Sequence, residues 1–211
     1  MNVSEYAEWL QERSQEQWCE AYRHYRSSLQ WLQGETQRGH WLLKSPAHLQ
    51  GLNPLMKVIP DAFVVQTHRS AQTVIASYCS LFHLMRSISS DYPDPATVGN
   101  SVLRSLSEGM RRSFSAREEF PDRLLDVHYE SVVNDPIACV RLIYERFGYE
   151  YHDEFERRMK GWLNEHPQHK HGRHPYRLDE FALTQEAVLE AFGDYADLEL
   201  EVRRECESIT K

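Results

Sequence analysis

Apolar positions recur along the chain in two rhythms, one with steps of three and four residues and one as short continuous runs. The first marks helices with a single buried face, the second marks strands. Residues 4–33 follow the first rhythm: Tyr6, Leu10, Trp18, Tyr22, Tyr25, Leu29 and Leu32 make a stripe, Ser4 is placed to cap, and Glu5 and Glu8 suit a first turn. One or two helices are predicted there, ended by Gly34 and Gly39. Two apolar runs come next, at 41–43 and 62–66, each followed by polar residues and a helical segment. The segment after the first run covers 48–57 and contains Pro54. The segment after the second carries Val74, Tyr78, Leu81, Phe82 and Met85 at helical steps.

A helix over 98–119 with arginines on its polar side leads to a third run at 124–128. Beyond it Asp135 is placed as an N-cap and Pro136 as the first helical residue. Ile137, Val140, Ile143, Tyr144 and Phe147 form the buried face of that helix, and Gly148 is its stop. Val188, Leu189, Phe192, Tyr195, Leu198 and Val202 supply the inward faces of closing helices. Strands and helices alternate, so the predicted fold class is α/β, a parallel sheet flanked by helices in a single domain, 1–211. Ligands in such sheets bind beyond the carboxyl ends of the strands. Those ends carry Lys44, Ser45 and His48 on the first unit, and Thr67, His68, Arg69 and Ser70 on the second.

Arg69 stands just before a predicted helix and Ser77 two turns inside it. An anion at that helix start would meet free backbone N–H groups, the guanidinium of Arg69 and the hydroxyl of Ser77. The same residues also suit a plainer reading, in which Arg69 caps a neighbouring helix or pairs with a surface carboxylate. His48 is the imidazole nearest the end of the first run and a candidate base toward an acceptor hydroxyl; as a residue at a helix start it equally suits a cap. His40 precedes the run and belongs at the opposite end. The aromatic stripe of 4–33 reads as core rather than as a platform for bases. Residues 89–97, SSDYPDPAT, read as an exposed loop.

Composition narrows the function classes. A chain of 211 residues with 41% hydrophobic and 27% charged residues is that of a globular protein with a proper core. Its net charge of −8 argues against a general nucleic-acid binder, while a local basic pocket for one nucleotide stays compatible. Cys19, Cys79, Cys139 and Cys206 form no CxxC pair, which disfavours a zinc ribbon or a disulfide framework and makes a cytoplasmic setting the expectation. No apolar run is long enough to span a bilayer. Residues 157–181 gather Lys160, Lys170, Arg173 and Arg177 with His166, His169, His171 and His174. No HExxH spacing occurs there, so a metal site is not expected, and a basic lid over an anion or an exposed charged loop are the two readings.

The order Lys44-Ser45-Pro46, helix, strand ending in His68-Arg69, and Ser77 eight residues after the arginine resembles the core of sulfotransferases that use 3′-phosphoadenosine 5′-phosphosulfate (PAPS). The bacterial branch, with LKSPxHL and then HRDP, is the most similar; here Ser70-Ala71 replaces Asp-Pro. Tyr129-Glu130 in DVHYESVVNDP, the segment with Lys170, His171, Gly172, His174, Tyr176, Leu178 and Phe181, and Phe192 with Tyr195 resemble further family segments. The resemblance implies a P-loop-NTPase-like sulfotransferase fold and transfer of a sulfuryl group from PAPS to a hydroxyl or amine of a small-molecule acceptor, with no metal required. It implies that Arg69 and Ser77 hold the 3′-phosphate, that Tyr129 contacts the adenine, and that the loop with Lys170, Gly172 and Arg173 closes on the nucleotide. Lys44 would stabilise charge on the bridging oxygen, and His48 is the candidate base.

None of the nine glycines lies in a Gly-Thr-rich phosphate loop after an apolar strand, where the family holds the 5′-phosphosulfate. The chain therefore reads as a family member with its first strand, loop and helix missing, and an unfilled groove in the sheet is expected. A non-catalytic nucleotide-binding or interaction protein of the same fold is the alternative. A nucleotide kinase would need that phosphate loop and a magnesium carboxylate, neither of which is found. The acceptor and a homo-oligomeric state stay open.

Overall fold

A computed structural model describes residues 4–35, 39–88, 91–167 and 176–209. Helix α1 (Ser4–Gln11) leads to α2 (Gln15–Gln33), which starts at a reciprocal cap: Ser14 Oγ accepts from the Gln17 N–H, and Gln17 Oε1 accepts from the Ser14 N–H. A 3-10 turn (Pro46–Gly51) runs into α3 (Leu52–Val58). Strand β1 (Val64–His68) is followed by α4 (Ala71–Ser87) and α5 (Pro95–Glu119), then by β2 (Leu124–His128). Helices α6 (Tyr129–Asn134), α7 (Pro136–Phe147) and α8 (Asp153–Glu165) come next, and α9 (Gln185–Phe192) and α10 (Tyr195–Ile209) close the chain.

The expected parallel pairing is present, but the fold is mostly helical. Among the described residues the sheet has two strands, β1 and β2, in parallel register from Val64 opposite Leu124 to His68 opposite His128. The expected strand at 41–43 is not formed. A strand exists only through the ladder that satisfies its backbone groups, and among the described residues no strand pairs with this segment. Leu42 is 93% exposed, with Trp41 and Leu43 also open. His40 stacks on Tyr149, at 4.7 Å between ring centres. The predicted stripe on the first helices also divides, since Tyr22 is buried while Tyr6 and Leu32 are exposed.

The two ends of α7 agree with the capping pattern of the sequence. Asp135 Oδ1 accepts from the Ala138 N–H at 2.9 Å ahead of Pro136, and Gly148 ends α7 at φ 70°. The largest core packs α4 against α5 through Ile75, Cys79, Val98, Val102 and Met110, with Val188 and Tyr195 from the closing helices. A second core sets Tyr22 of α2 on Leu52, Leu55 and Met56 of α3 and on Ala116 and Leu124. A third joins Val127 to Val202 and Cys206.

Gly99 shows how tightly α5 meets the chain beyond the Arg177 region. A Cβ there would lie 2.3 Å from the Phe181 carbonyl oxygen, and a backbone atom cannot step aside cheaply. Gly99→Ala is expected to lower stability by about 2 kcal/mol despite the helical propensity it gains. Urea unfolding checks this, and an unchanged midpoint would mean the two segments are not in contact.

Candidate active site

The register of the sheet assembles the first part of the site. His68 and His128 are opposite partners at the ends of the two strands, so Arg69 and Tyr129 leave the sheet side by side. The Arg69 guanidinium lies over the Tyr129 ring at 4.3 Å from its centre, a favourable seat for a planar cation. It makes no ion pair or hydrogen bond with a described residue. An arginine paired with a surface carboxylate, or capping a neighbouring helix, is therefore not what the described residues show. Its backbone is clasped by Tyr195, whose hydroxyl accepts from the Arg69 N–H at 3.4 Å and donates to the Arg69 carbonyl at 3.0 Å. Burial pushes the Tyr195 hydroxyl up to about 12, so it stays protonated as that donor.

Beneath Arg69 a polar network fixes the strand end. Asp126 Oδ1 accepts from His68 Nε2 at 2.7 Å and from Arg117 Nη2 at 2.8 Å, while Oδ2 accepts from Arg117 Nε at 3.2 Å. Arg117 also donates to Gln66 Oε1 at 2.6 Å and to Ser113 Oγ at 2.8 Å. Burial works to raise the Asp126 pKa, but the hydrogen bond from His68 and the Arg117 charge prevail and hold it below 3.8. Beside this, His128 Nδ1 accepts from the Glu130 N–H and its Nε2 contacts Glu199 at 2.8 Å, so Tyr129 is fixed from its own backbone side.

Helix α4 begins one residue after Ser70, whose hydroxyl bonds Thr73 Oγ1 at 2.8 Å instead of capping a backbone N–H. The N–H groups at this helix start thus have no side-chain cap, and the positive end of a 17-residue helix faces the region of Arg69. Ser77 is half-buried on α4, and its hydroxyl makes no hydrogen bond with a described residue. A cleft of about 650 Å³ opens between Gln72, Thr73 and Ala76 of α4 and the chain from Tyr176 to Gln185. Within it Arg177 is taken up by Asp179, at 3.0 Å from Nε to Oδ1. Lys170, Gly172 and Arg173, expected as the closing loop, lie outside the described residues.

The second part stands on the segment between 41–43 and α3. Lys44 is exposed and makes no ion pair with a described residue. Ser45 Oγ accepts from the Ala47 N–H at 3.3 Å and starts the 3-10 turn, which carries His48 inward. Gln50 reaches the Ser105 carbonyl of α5 past Gly109, where a Cβ would sit 2.9 Å from the Gln50 amide. His48 Nδ1 is 3.1 Å from the Tyr22 hydroxyl, and burial lowers the imidazole's basicity.

Arg69 and Tyr129 are thus brought into contact, and His48 is joined to Tyr22. Tyr22, Tyr195, Asp126 and Arg117 were not singled out from the sequence as site residues. The one available signal was Asp126, a carboxylate inside the apolar run Leu-Leu-Asp-Val-His, which requires a buried partner.

Residues 2–153 match the sulfotransferase family. The chain belongs to that family. It is similar to the omega-hydroxy-beta-dihydromenaquinone-9 sulfotransferases Stf3 of Mycobacterium bovis and Mycobacterium tuberculosis, each 23% identical over 160 residues, 72% of this chain and 40% of the relative. Among solved structures it resembles sulfotransferase STF9 from Mycobacterium avium, with TM-score 0.82 and 33% identity over 92% of this chain and 49% of that one. Sulfotransferase STF1 from Mycobacterium tuberculosis gives TM-score 0.73 and 31% identity over 91% and 49%. The chain spans less than half the length of these relatives. No described helix is long and apolar enough to cross a membrane, and no described cluster of His, Cys, Asp and Glu could hold a metal ion.

Proposed function

We propose that the protein binds PAPS and takes part in transfer of its sulfuryl group to a hydroxyl or amine of a small-molecule acceptor. The observation that carries this reading is Arg69: a cation without a carboxylate partner among the described residues, seated on Tyr129 at the adjoining ends of two parallel strands in a sulfotransferase-family chain. PAPS supplies the activated sulfuryl group. Arg69 and Ser77, with the N–H groups at the start of α4, hold the 3′-phosphate. The Tyr129 ring supports the Arg69 guanidinium on one face and offers its other face to the adenine. By the family resemblance, Lys170, Gly172 and Arg173 add further contacts to the nucleotide. The Lys44 ammonium stabilises negative charge on the bridging oxygen, the kind of electrostatic help on which in-line group transfer depends. What His48 contributes depends on which of its ring nitrogens carries the proton.

A second reading, nucleotide binding without transfer, is favoured by the unpaired and exposed segment at 41–43 beside Lys44. The test is release of adenosine 3′,5′-bisphosphate from PAPS in the presence of a panel of alcohols and amines. Acceptor-dependent release is the expected result. Tight binding of the bisphosphate with no release from PAPS would overturn transfer and leave the second reading.

A further inference from the structure

Tyr22, Trp18 and Tyr25 stand at helical spacing on one side of α2 and make an aromatic wall around His48. The Tyr22 and Tyr25 rings lie 5.8 and 5.6 Å from the imidazole centre, and Trp18 stacks on Tyr22 at 6.2 Å. Gly51 allows this approach: a Cβ there would meet Trp18 Cε3 at 2.8 Å and Tyr22 Cε2 at 3.0 Å. Tyr22 is 6% exposed, and among the described residues its hydroxyl has a single hydrogen-bond partner, His48 Nδ1. His48 Nε2 makes no hydrogen bond to a described residue.

We infer that Tyr22 is a positioning residue that holds His48 in the tautomer with its proton on Nε2, so that the imidazole meets the transferred sulfuryl group as a neutral hydrogen-bond donor. This rests on the proposed reading only in placing His48 near the reacting group. The phenol is the better donor and the bare imidazole nitrogen the better acceptor, so the bond runs from the Tyr22 O–H to Nδ1. In the reverse arrangement the Tyr22 oxygen accepts from Nδ1–H, and its own hydrogen has no acceptor among the described residues. One such unmade buried hydrogen bond favours the Nε2–H tautomer by roughly tenfold or more. The same restriction opposes the imidazolium. With both ring nitrogens protonated, the Tyr22 oxygen must accept from Nδ1, and its own hydrogen is stranded. His48 is thereby disfavoured as the group that takes the acceptor's proton.

The test is long-range proton–nitrogen NMR of the chain labelled at its histidines, above neutral pH, with the His48 signals assigned by their loss in His48→Gln. The wild type is expected to show a bare Nδ1 and a protonated Nε2. In Tyr22→Phe, which keeps the ring packing, the Nδ1–H form should become visible. A bare Nε2 in the wild type, or an unchanged tautomer balance in Tyr22→Phe, overturns the proposal. In the transfer assay, His48→Gln keeps an N–H donor that cannot take up a proton, and should retain more activity than His48→Ala; equal loss overturns the donor role. Tautomer states are read without substrate, so absence of turnover in the wild type would count against the transfer reading while the tautomer still decides the role of Tyr22.

Discussion

Asp126→Ala is expected to lower the free energy of unfolding by about 3 kcal/mol, the low end for breaking a largely buried pair. The magnitude follows from what remains. Arg117, with its side chain 13% exposed, loses both of its bonds to the carboxylate, and His68, fully buried, loses the carboxylate that accepts from its Nε2. Neither group can turn to water without disturbing the strand end. The wild-type contribution also has a definite pH window. The Asp126 pKa is depressed in the folded state, so between its folded value and 3.8 the unfolded chain binds more protons. Stability from this group is full above pH 3.8 and lost as pH falls through the folded value. Urea unfolding at neutral and acid pH checks both parts. A loss under about 1 kcal/mol, or an unchanged acid dependence in the variant, would mean that Asp126 is solvated rather than paired.

The second large effect concerns Arg69. Arg69→Ala is expected to weaken binding of adenosine 3′,5′-bisphosphate by about ten- to a hundredfold, the range for losing charge-assisted hydrogen bonds to one phosphate. Its effect on stability should be small, because the guanidinium makes no ion pair among the described residues and only its stacking on Tyr129 is lost. Equilibrium titration together with unfolding separates the two. A variant that unfolds much more easily would place Arg69 in the scaffold instead of the binding site. The two predictions are linked, since the Asp126 network holds His68 and His68 precedes Arg69.

Much of this arrangement is legible in the sequence. The run Leu-Leu-Asp-Val-His gave β2 because it is short, apolar and followed by cap residues. Asp135, Pro136 and Gly148 announced the ends of α7 because capping is decided within a few residues. Arg69 stood out because its place after a strand and before a helix is itself a position in the sheet. The run at 41–43 has the same apolar character as β1 but forms no ladder, for a strand needs a partner that its own residues cannot supply. Tyr22 was legible as core and not as a contact of His48: one aromatic stripe serves both purposes, and only the close approach of Gly51 separates them. Tyr195 likewise read as an inward-facing residue, whereas its bond to Arg69 spans 126 positions and leaves no trace in local pattern.

The most direct test of the site compares two nucleotides by calorimetry, adenosine 3′,5′-bisphosphate and adenosine 5′-phosphate, on the wild type and on Arg69→Ala. If Arg69 and the start of α4 read the 3′-phosphate, the wild type binds the bisphosphate at least tenfold more tightly, and the preference collapses in the variant. Equal affinity of the wild type for the two nucleotides, or a preference that survives Arg69→Ala, would contradict the account.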